Sequence, residues 1–232
     1  MNIFEHSEVL TFLSERADGN MRLFGGDSSA NRDNFLQKNN LGGCKLVSAR
    51  LVHDSRVEVV GKDSQIIIEK ADGLVARQKE IVLAVTVADC LPIYLFDPKT
   101  KVCGVLHAGW RSLKKGVIRE AMSQMKKAFG AEADDFLAGV GVGIGACHFE
   151  VKEDFQQKFA EFPQFFVRKE DKVFFDLKAL ARFLLIKQGV LEENIAIKPE
   201  CTYCLEDNYF SFRRDGEKEG EIQAMMAGIT VI

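Results

Sequence analysis

The sequence predicts an α+β (mixed α/β) protein, with mixed, partly antiparallel β-sheets packed against helices in a single domain spanning residues 1–232. Three observations predict it. Strand-length runs rich in β-branched residues recur along the chain. Segments with helical spacing lie among them. The two kinds do not alternate regularly, which argues against an all-parallel doubly wound sheet. The chain has only four prolines, no Pro/Ser-rich linker, no fixed-period repeat and no low-complexity segment. A length of 232 residues is enough for one sizeable core.

The elements follow in order. Lys45 to His53 and Arg56 to Val60 read as strands, and Gln65 to Glu69 as a β-branched third. Ile81 to Val87 is continuously apolar, so it is expected to be covered on both faces. Leu91 to Phe96 and Lys101 to Leu106 flank Asp97-Pro98-Lys99-Thr100, in which Pro98 suits a turn and Asp97 can cap it. Leu113 to Phe129 has helical spacing and stops at Gly130. Phe136 to Ile144 reads as a glycine-rich strand, and Glu150 to Phe162 as a helix ended by Pro163. Phe174 to Phe175 is a short strand, Leu177 to Gln188 a helix before Gly189, and Ile195 to Lys198 a last strand.

Composition excludes several classes of function. The net charge of −3 offers no basic face for nucleic acid. No apolar run approaches the roughly 20 residues that span a bilayer. The start, Met1-Asn2-Ile3-Phe4-Glu5-His6, lacks the basic and apolar regions of a signal peptide, so a cytoplasmic location is expected. The six cysteines are too sparse for a disulfide scaffold; each is a small buried hydrophobe, a nucleophile or a metal ligand.

One spacing stands out. With Pro98-Lys99 as a two-residue hairpin turn, Asp97 faces Thr100 and Cys90 faces His107. Opposed residues hold their Cβ atoms roughly 5 Å apart. A thiolate and an imidazole at that separation can share a tetrahedral metal or form a Cys–His nucleophile pair. His53 closes another apolar strand, and strand ends are where loops leave room for sites. Three ligands, His53, Cys90 and His107, without a clear fourth suggest a catalytic zinc with an open position. Ala108-Gly109 after His107 lets a ligand approach closely, and Arg111 enters a helix N-terminus suited to an anion such as phosphate. Trp110 reads more simply as core than as a stacking platform.

The motifs Thr86-Val87-Ala88-Asp89-Cys90-Leu91-Pro92 and His107-Ala108-Gly109-Trp110-Arg111 resemble the laccase-domain family, also called the polyphenol oxidase or purine nucleoside phosphorylase family. Ala71-Asp72-Gly73-Leu74-Val75, the run Gly143 to Val151, Phe175-Asp176-Leu177, Cys201-Thr202-Tyr203-Cys204 and the run Tyr209 to Gly216 continue the resemblance, in order, from about residue 45 to residue 216. The resemblance implies zinc on His53, Cys90 and His107. It implies phosphorolysis of adenosine, inosine, guanosine and methylthioadenosine, together with adenosine deamination. Asp89 is then placed to orient water, to act as a general base, or to support the ligand beside it. Arg111, or the pair Arg213 and Arg214, would hold phosphate; Gly109, Cys147 and Asp176 would line the pocket. Purine nucleosides and inorganic phosphate are the expected partners, and a monomer or homodimer the expected state. The chain departs from the pattern in three places: Asp54 stands where the family has Gly, Ala146 where it has Pro, and the region before Asn31 lacks a Gly-Gly-Val-Ser loop.

Six rival readings compete with this one. A self-contained multicopper oxidase needs about ten imidazoles, and the chain has four histidines. A single copper at the same three ligands is the surviving copper alternative, because Cu²⁺ outcompetes Zn²⁺ at most nitrogen sites. A cysteine hydrolase would use Cys90 as nucleophile and His107 as base. A deaminase of H-x-E…P-C-x-x-C type matches His148, Glu150, Cys201 and Cys204 in outline, but Glu200 separates Pro199 from Cys201. A dinucleotide site at Gly141-x-Gly143-x-x-Ala146 lacks its acidic partner, so close backbone packing is the simpler role for those glycines. A non-catalytic zinc protein is the last alternative, and Cys201 and Cys204 read as a thiol pair or a disulfide.

Overall fold

Residues 81–87 show how the molecule is layered. A computed structural model describes residues 2–23, 28–216 and 222–232. In it Ile81, Leu83, Val85 and Val87 point into one apolar cluster, while Val82 and Ala84 point into another. Alternate residues of a strand face opposite ways, so a run apolar at all positions but Thr86 is a strand covered on both sides.

In chain order the elements are β1 (Val9–Leu13), α1 (Ser28–Lys38), β2 (Lys45–Arg50), β3 (Val57–Val59), β4 (Ile67–Glu69), β5 (Gly73–Ala76), β6 (Ile81–Val87), β7 (Leu91–Asp97) and β8 (Val102–Ala108). They continue as α2 (Trp110–Lys115), α3 (Val117–Phe129), β9 (Leu137–Val140), α4 (Glu153–Lys158), β10 (Phe166–Lys169), β11 (Lys172–Phe175), α5 (Leu177–Lys187), β12 (Ile195–Ile197), α6 (Phe212–Asp215) and β13 (Met225–Val231). One sheet runs β1-β13-β6-β2-β4, the other β12-β9-β7-β8-β5-β3, and β10-β11 form a separate hairpin. Both large sheets mix parallel and antiparallel pairs, so the α+β class holds.

The two sheets face each other across a core that includes Leu74, Val85, Tyr94, Val105 and Ala227. The outer face of the five-stranded sheet is covered by α1 through Phe35 and Leu36. The outer face of the other sheet is covered by α3 through Val117, Ile118, Ala121 and Met125, and by α5 through Leu177, Leu180, Ala181 and Leu185. No helix among the described residues is long and apolar enough to cross a membrane.

The structure corrects several expected elements. The helix expected from Leu113 begins at Trp110 and breaks at Gly116, whose φ of +91° lies in the left-handed region. The helix expected from Glu150 starts only at Glu153, because Val151 N–H donates to Val173 O and Glu150 bridges Phe174, which binds this stretch to β11. The strand expected over 136–144 spans Leu137–Val140. Beyond it a side chain at Gly143 would meet Leu91 Cδ2 at 2.6 Å and Asp89 O at 2.8 Å, so close packing and not dinucleotide binding accounts for this glycine. Strands β1, β5, β10 and β13 and helix α1 enter only with the structure; β13 lies between β1 and β6 and is buried throughout.

The hairpin register also differs. Asp97 pairs with Val102, Pro92 with His107 and Leu91 with Ala108, so the loop is Pro98 to Lys101. Asp97 holds the longer loop: Oδ1 accepts from Lys99 N at 2.8 Å, Oδ2 accepts from Thr100 Oγ1 at 2.6 Å, and its carbonyl accepts from Lys101 N at 2.9 Å. Lys101 takes a φ of +59°, which closes the turn. Cys90 therefore does not oppose His107. The slip is two residues, however, and a two-residue slip leaves every side chain on its original face.

Candidate functional site

The chain leaves β6 at Val87, turns through Ala88 and Asp89, and enters β7 at Leu91, with Cys90 at the turn's end. Asp89 takes φ +80°, a conformation that costs a non-glycine residue energy and persists only when its surroundings demand it. Here they do. Its Oδ1 accepts from Thr202 Oγ1 at 2.6 Å, its Oδ2 from Arg213 N at 2.7 Å, and its carbonyl from Ile144 N at 2.8 Å. Both carboxylate oxygens are engaged in holding the turn that presents Cys90.

His53 is also held in an unusual conformation, φ +57°, three residues beyond the end of β2 and not at the strand end. What holds it is Asp72, a fully buried residue just before β5. Asp72 Oδ1 accepts from His53 N at 2.9 Å, and Oδ2 accepts from Asp54 N at 2.8 Å and Val52 N at 3.2 Å. The same carboxylate lies 3.0 Å from His107 Nδ1, and its backbone carbonyl accepts from His107 N at 2.7 Å. One buried carboxylate therefore positions both histidines. With Nδ1 donating to Asp72, His107 offers Nε2 to a partner. Asp54 folds its own turn: Oδ1 accepts from Ser55 N at 2.7 Å and Oδ2 pairs with Lys115 at 2.7 Å.

These two loops and β8 bring one ligand atom each of His53, Cys90 and His107 within 4.8 Å of one another. The two imidazole rings stand nearly perpendicular, 87° apart, with centroids at 4.8 Å. His53 is exposed, Cys90 half-buried and His107 buried. Burial pushes the Cys90 thiol up, but His107, and then His53, overcome this and pull it down to about 6. Burial pushes His107 down, but Cys90 and Asp72 overcome this and hold it up at about 9. Burial also raises the Asp72 carboxyl, yet His107 and the backbone N–H groups keep it below the usual carboxylate range. The pair Cys90–His107 is thus a thiolate facing an imidazolium at neutral pH; once the imidazolium gives up its proton, the thiolate and imidazole are a donor set that suits a soft or borderline transition metal.

A cavity of about 520 Å³ opens on this cluster. That volume lies within the range of small-molecule sites. Gly109, Arg111 and Arg213 line it, with Trp110 and Phe149 as aromatic walls. A Cβ on Gly109 would stand 2.7 Å from Cys90 Sγ, so this position keeps the thiol's space clear. Arg111 lies over the Trp110 ring at 4.1 Å, while Trp110 packs edge-on against Phe155, as a core residue would. Arg213 donates through Nη1 to Glu150 O.

Three expected pocket residues lie elsewhere. Arg214 is committed to structure, its guanidinium donating to Thr202 O, Tyr203 O and Tyr209 O and pairing with Asp215. Asp176 is the N-cap of α5, accepting from Ala179 N at 2.9 Å. Cys147 belongs to a separate group with His148, Cys201 and Cys204. The expected difference in the loop before Asn31 falls partly on residues 24–27, outside the described residues. Asp72 and Arg22, which also lines the cavity, are the residues that sequence reasoning missed. Asp72 had a signal, an acidic residue between small ones in Ala71-Asp72-Gly73; Arg22 had none.

Fold and site together define a layered α+β protein whose imidazole–thiol–imidazole cluster can hold a metal beside a cavity of small-molecule size. The chain belongs to the family described as multi-copper polyphenol oxidoreductase laccase, which it matches over residues 23–229. A relative from Bacteroides thetaiotaomicron named purine nucleoside phosphorylase is 30% identical over 187 residues, covering 78% of this chain and 68% of the relative. Purine nucleoside phosphorylase LACC1 of Mus musculus is 32% identical over 178 residues, which cover 74% of this chain but 41% of that protein. A protein of an unknown prokaryotic organism, named adenosine deaminase RL5, is 31% identical over 189 residues, covering 75% of this chain and 72% of its own. The crystal structure of the Bacillus licheniformis hypothetical protein YfiH superposes with a TM-score of 0.88 at 25% identity, covering 97% of this chain and 93% of that one.

Proposed function

We propose that this chain is a zinc-dependent enzyme of purine nucleosides that carries out phosphorolysis of adenosine, inosine, guanosine and methylthioadenosine and deamination of adenosine. The observation that carries the proposal is the convergence of His53, Cys90 and His107 on a cavity of about 520 Å³ lined by Arg22, Arg111 and Arg213. The names of the relatives support the substrate class. The same reading takes residues 1–232 as one domain, acting as a monomer or homodimer in the cytoplasm.

His53, Cys90 and His107 would hold the zinc, which supplies Lewis acidity when bound. The chain's own groups do the rest. The arginines that line the cavity, Arg111 and Arg213 among them, hold anionic phosphate, and guanidinium suits that oxyanion. In phosphorolysis a phosphate oxygen bonds to ribose C1′ while the C1′–N bond to the purine breaks, the purine leaving with the bonding pair and taking up a proton. In deamination water adds at purine C6 and ammonia leaves. Trp110 and Phe149 exclude water from the base, and Asp89, with both oxygens occupied, positions Cys90 in place of acting as a general base.

The deciding assay follows adenosine with and without phosphate, before and after chelation. Adenine is expected with phosphate and inosine without it; neither product after metal is restored sinks the proposal. Metal analysis of the same protein separates zinc from a single copper. The thiolate–imidazolium pair also fits a cysteine hydrolase. Alkylation of Cys90 separates the two readings: zinc should block it and a chelator restore it, whereas a nucleophile reacts equally in both.

Two further outcomes are expected here. At about pH 7.5 the metal-free pair carries one proton on His107 and none on Cys90, and ligation requires a neutral imidazole and a thiolate. Zinc loading should therefore release about one proton from this pair, rising towards two below about pH 6 and falling to none above about pH 9. Calorimetry in buffers of different ionisation enthalpy measures it; a release independent of pH contradicts the assigned pair. Second, Gly109→Ala puts a methyl group against Cys90 Sγ while its backbone angles, φ −75° and ψ 168°, suit alanine. Zinc affinity should fall about 10–100-fold with little change in melting temperature. Unchanged affinity in a chelator competition would show that the sulfur has room to move.

A further inference from the structure

We propose that Cys147, His148, Cys201 and Cys204 form a second metal site, which takes one zinc ion as a closed structural centre. The four ligand atoms lie within 4.8 Å of one another. Cys147 Sγ and Cys204 Sγ are 3.6 Å apart, and Cys204 Sγ is 3.2 Å from His148 Nδ1. Two sulfurs each about 2.3 Å from a zinc at a tetrahedral angle stand about 3.8 Å apart, so the observed spacing is close to what one shared ion sets.

The ligands come from two turns joined by backbone pairing. Cys147 and His148 lie in the turn in which His148 N donates to Gly145 O at 3.0 Å. Cys201 and Cys204 lie in the turn closed by Leu205 N donating to Cys201 O at 3.1 Å. The parallel bridge Gly143–Cys201, with Thr202 N donating to Gly143 O at 3.2 Å, holds the turns side by side.

The surroundings are arranged for thiolates. Gly145 N–H donates to Cys201 Sγ at 3.2 Å, the kind of supporting hydrogen bond that metal-bound sulfur receives. A Cβ on Gly145 would stand 3.1 Å from Cys147 Sγ and 3.5 Å from Cys201 Sγ, so its absence leaves the sulfurs their space. The His148 ring stacks on Tyr203 at 4.1 Å and 15°, which fixes the direction of Nδ1. Cys201 and Thr202 are buried, while Cys147 and Cys204 are exposed, so an ion can enter from solvent and sit on a fixed base.

Four protein ligands leave no open position, which is the mark of a structural and not a catalytic zinc. This separates the cluster from the H-x-E deaminase pattern that its residues resemble, and the Glu150 carboxylate is paired with Lys172 at 3.0 Å. The site has a consequence for its neighbour. The Cys201–Cys204 turn carries Thr202, whose hydroxyl holds Asp89, and Thr202 O and Tyr203 O receive Arg214. A zinc here ties down the wall behind the turn that presents Cys90.

The test is metal content and cobalt spectroscopy of the full chain purified from zinc-supplemented culture. Two zinc ions per chain are expected in the parent protein and one in Cys204→Ser. Cys90→Ser, which disables the first cluster alone, should also retain one. Loading Cys90→Ser with cobalt should give the intense sulfur-to-cobalt charge-transfer and tetrahedral d–d bands of a thiolate-rich centre, and adding Cys147→Ser should weaken them. Should Cys204→Ser fail to fold, Cys147→Ser and the cobalt spectrum of Cys90→Ser decide the matter. A Cys204→Ser chain that keeps the parent's metal content overturns the proposal. So does a Cys90→Ser chain that binds no cobalt, and so does a Cys147–Cys204 disulfide found in the parent without a second zinc. None of these outcomes depends on nucleoside turnover, so the first site's function can fail while this one stands.

Discussion

Cys90→Ser should lower adenosine phosphorolysis by about 10³-fold, equivalent to about 4 kcal/mol of transition-state stabilisation. It should also lose one zinc per chain. Serine has nearly the shape of cysteine, and Cys90 is only half-buried, so the fold should survive the change. What disappears is the thiolate that two imidazoles hold in its charged form. A hydroxyl at the same place stays neutral and is a poor ligand for a borderline-soft ion. The measurement is kcat/KM alongside zinc content, with the melting temperature as the control for folding. Activity within tenfold of the parent, with zinc retained, would falsify the assignment of the site.

The second large effect belongs to Asp72. Asp72→Asn should lower the melting temperature of the metal-free protein by roughly 10 °C, from a loss of about 3–5 kcal/mol at about 2–4 °C per kcal/mol for a chain of this size. The carboxylate accepts from four groups: the backbone N–H groups of Val52, His53 and Asp54, and the ring of His107. An amide has one oxygen, so its NH₂ must face donors and leave them unpaired in a site with no exposure. The same change releases His53 from its left-handed conformation and His107 from its ring orientation, so zinc affinity should fall about 10–100-fold as well. Measuring stability without metal separates the two effects. A melting temperature unchanged within about 2 °C would mean that the His53 loop holds itself without Asp72.

Much of the fold was legible because burial leaves marks in sequence. The run from Ile81 to Val87 is apolar at every position but Thr86, on both of its alternating faces, which marks a strand covered on both sides. Helix α5 shows its buried stripe, Leu177, Leu180, Ala181 and Leu185, at helical spacing. Strand β13 carries an apolar run comparable to that of β6; what only the structure shows is which distant strands, β1 and β6, it joins. The Glu150 to Phe162 stretch has helix-forming residues, but the pairing of Val151 with Val173 draws its start into an extended segment that local preference does not report.

The candidate site divides in the same way. Sequence alone determined the class of the fold, the three residue types His53, Cys90 and His107, and the face that Cys90 and His107 share. The face was secure because strands alternate with period two, so the loop's two extra residues moved the register without turning either side chain over. Tertiary structure alone decided the rest. Asp72 gathers two loops because a buried carboxylate must find donors wherever the fold supplies them, and those donors come from Val52 to Asp54 and from His107. Arg214 and Asp176 turned from expected ligand contacts into structural ones because backbone groups nearby needed their charges. Cys147 met Cys204 across 57 residues because the parallel pairing of β9 with β12, continued by the Gly143–Cys201 bridge, runs their turns side by side. Local pattern encodes which face a residue takes; which distant group then meets it is settled only when burial forces every polar atom to find a partner.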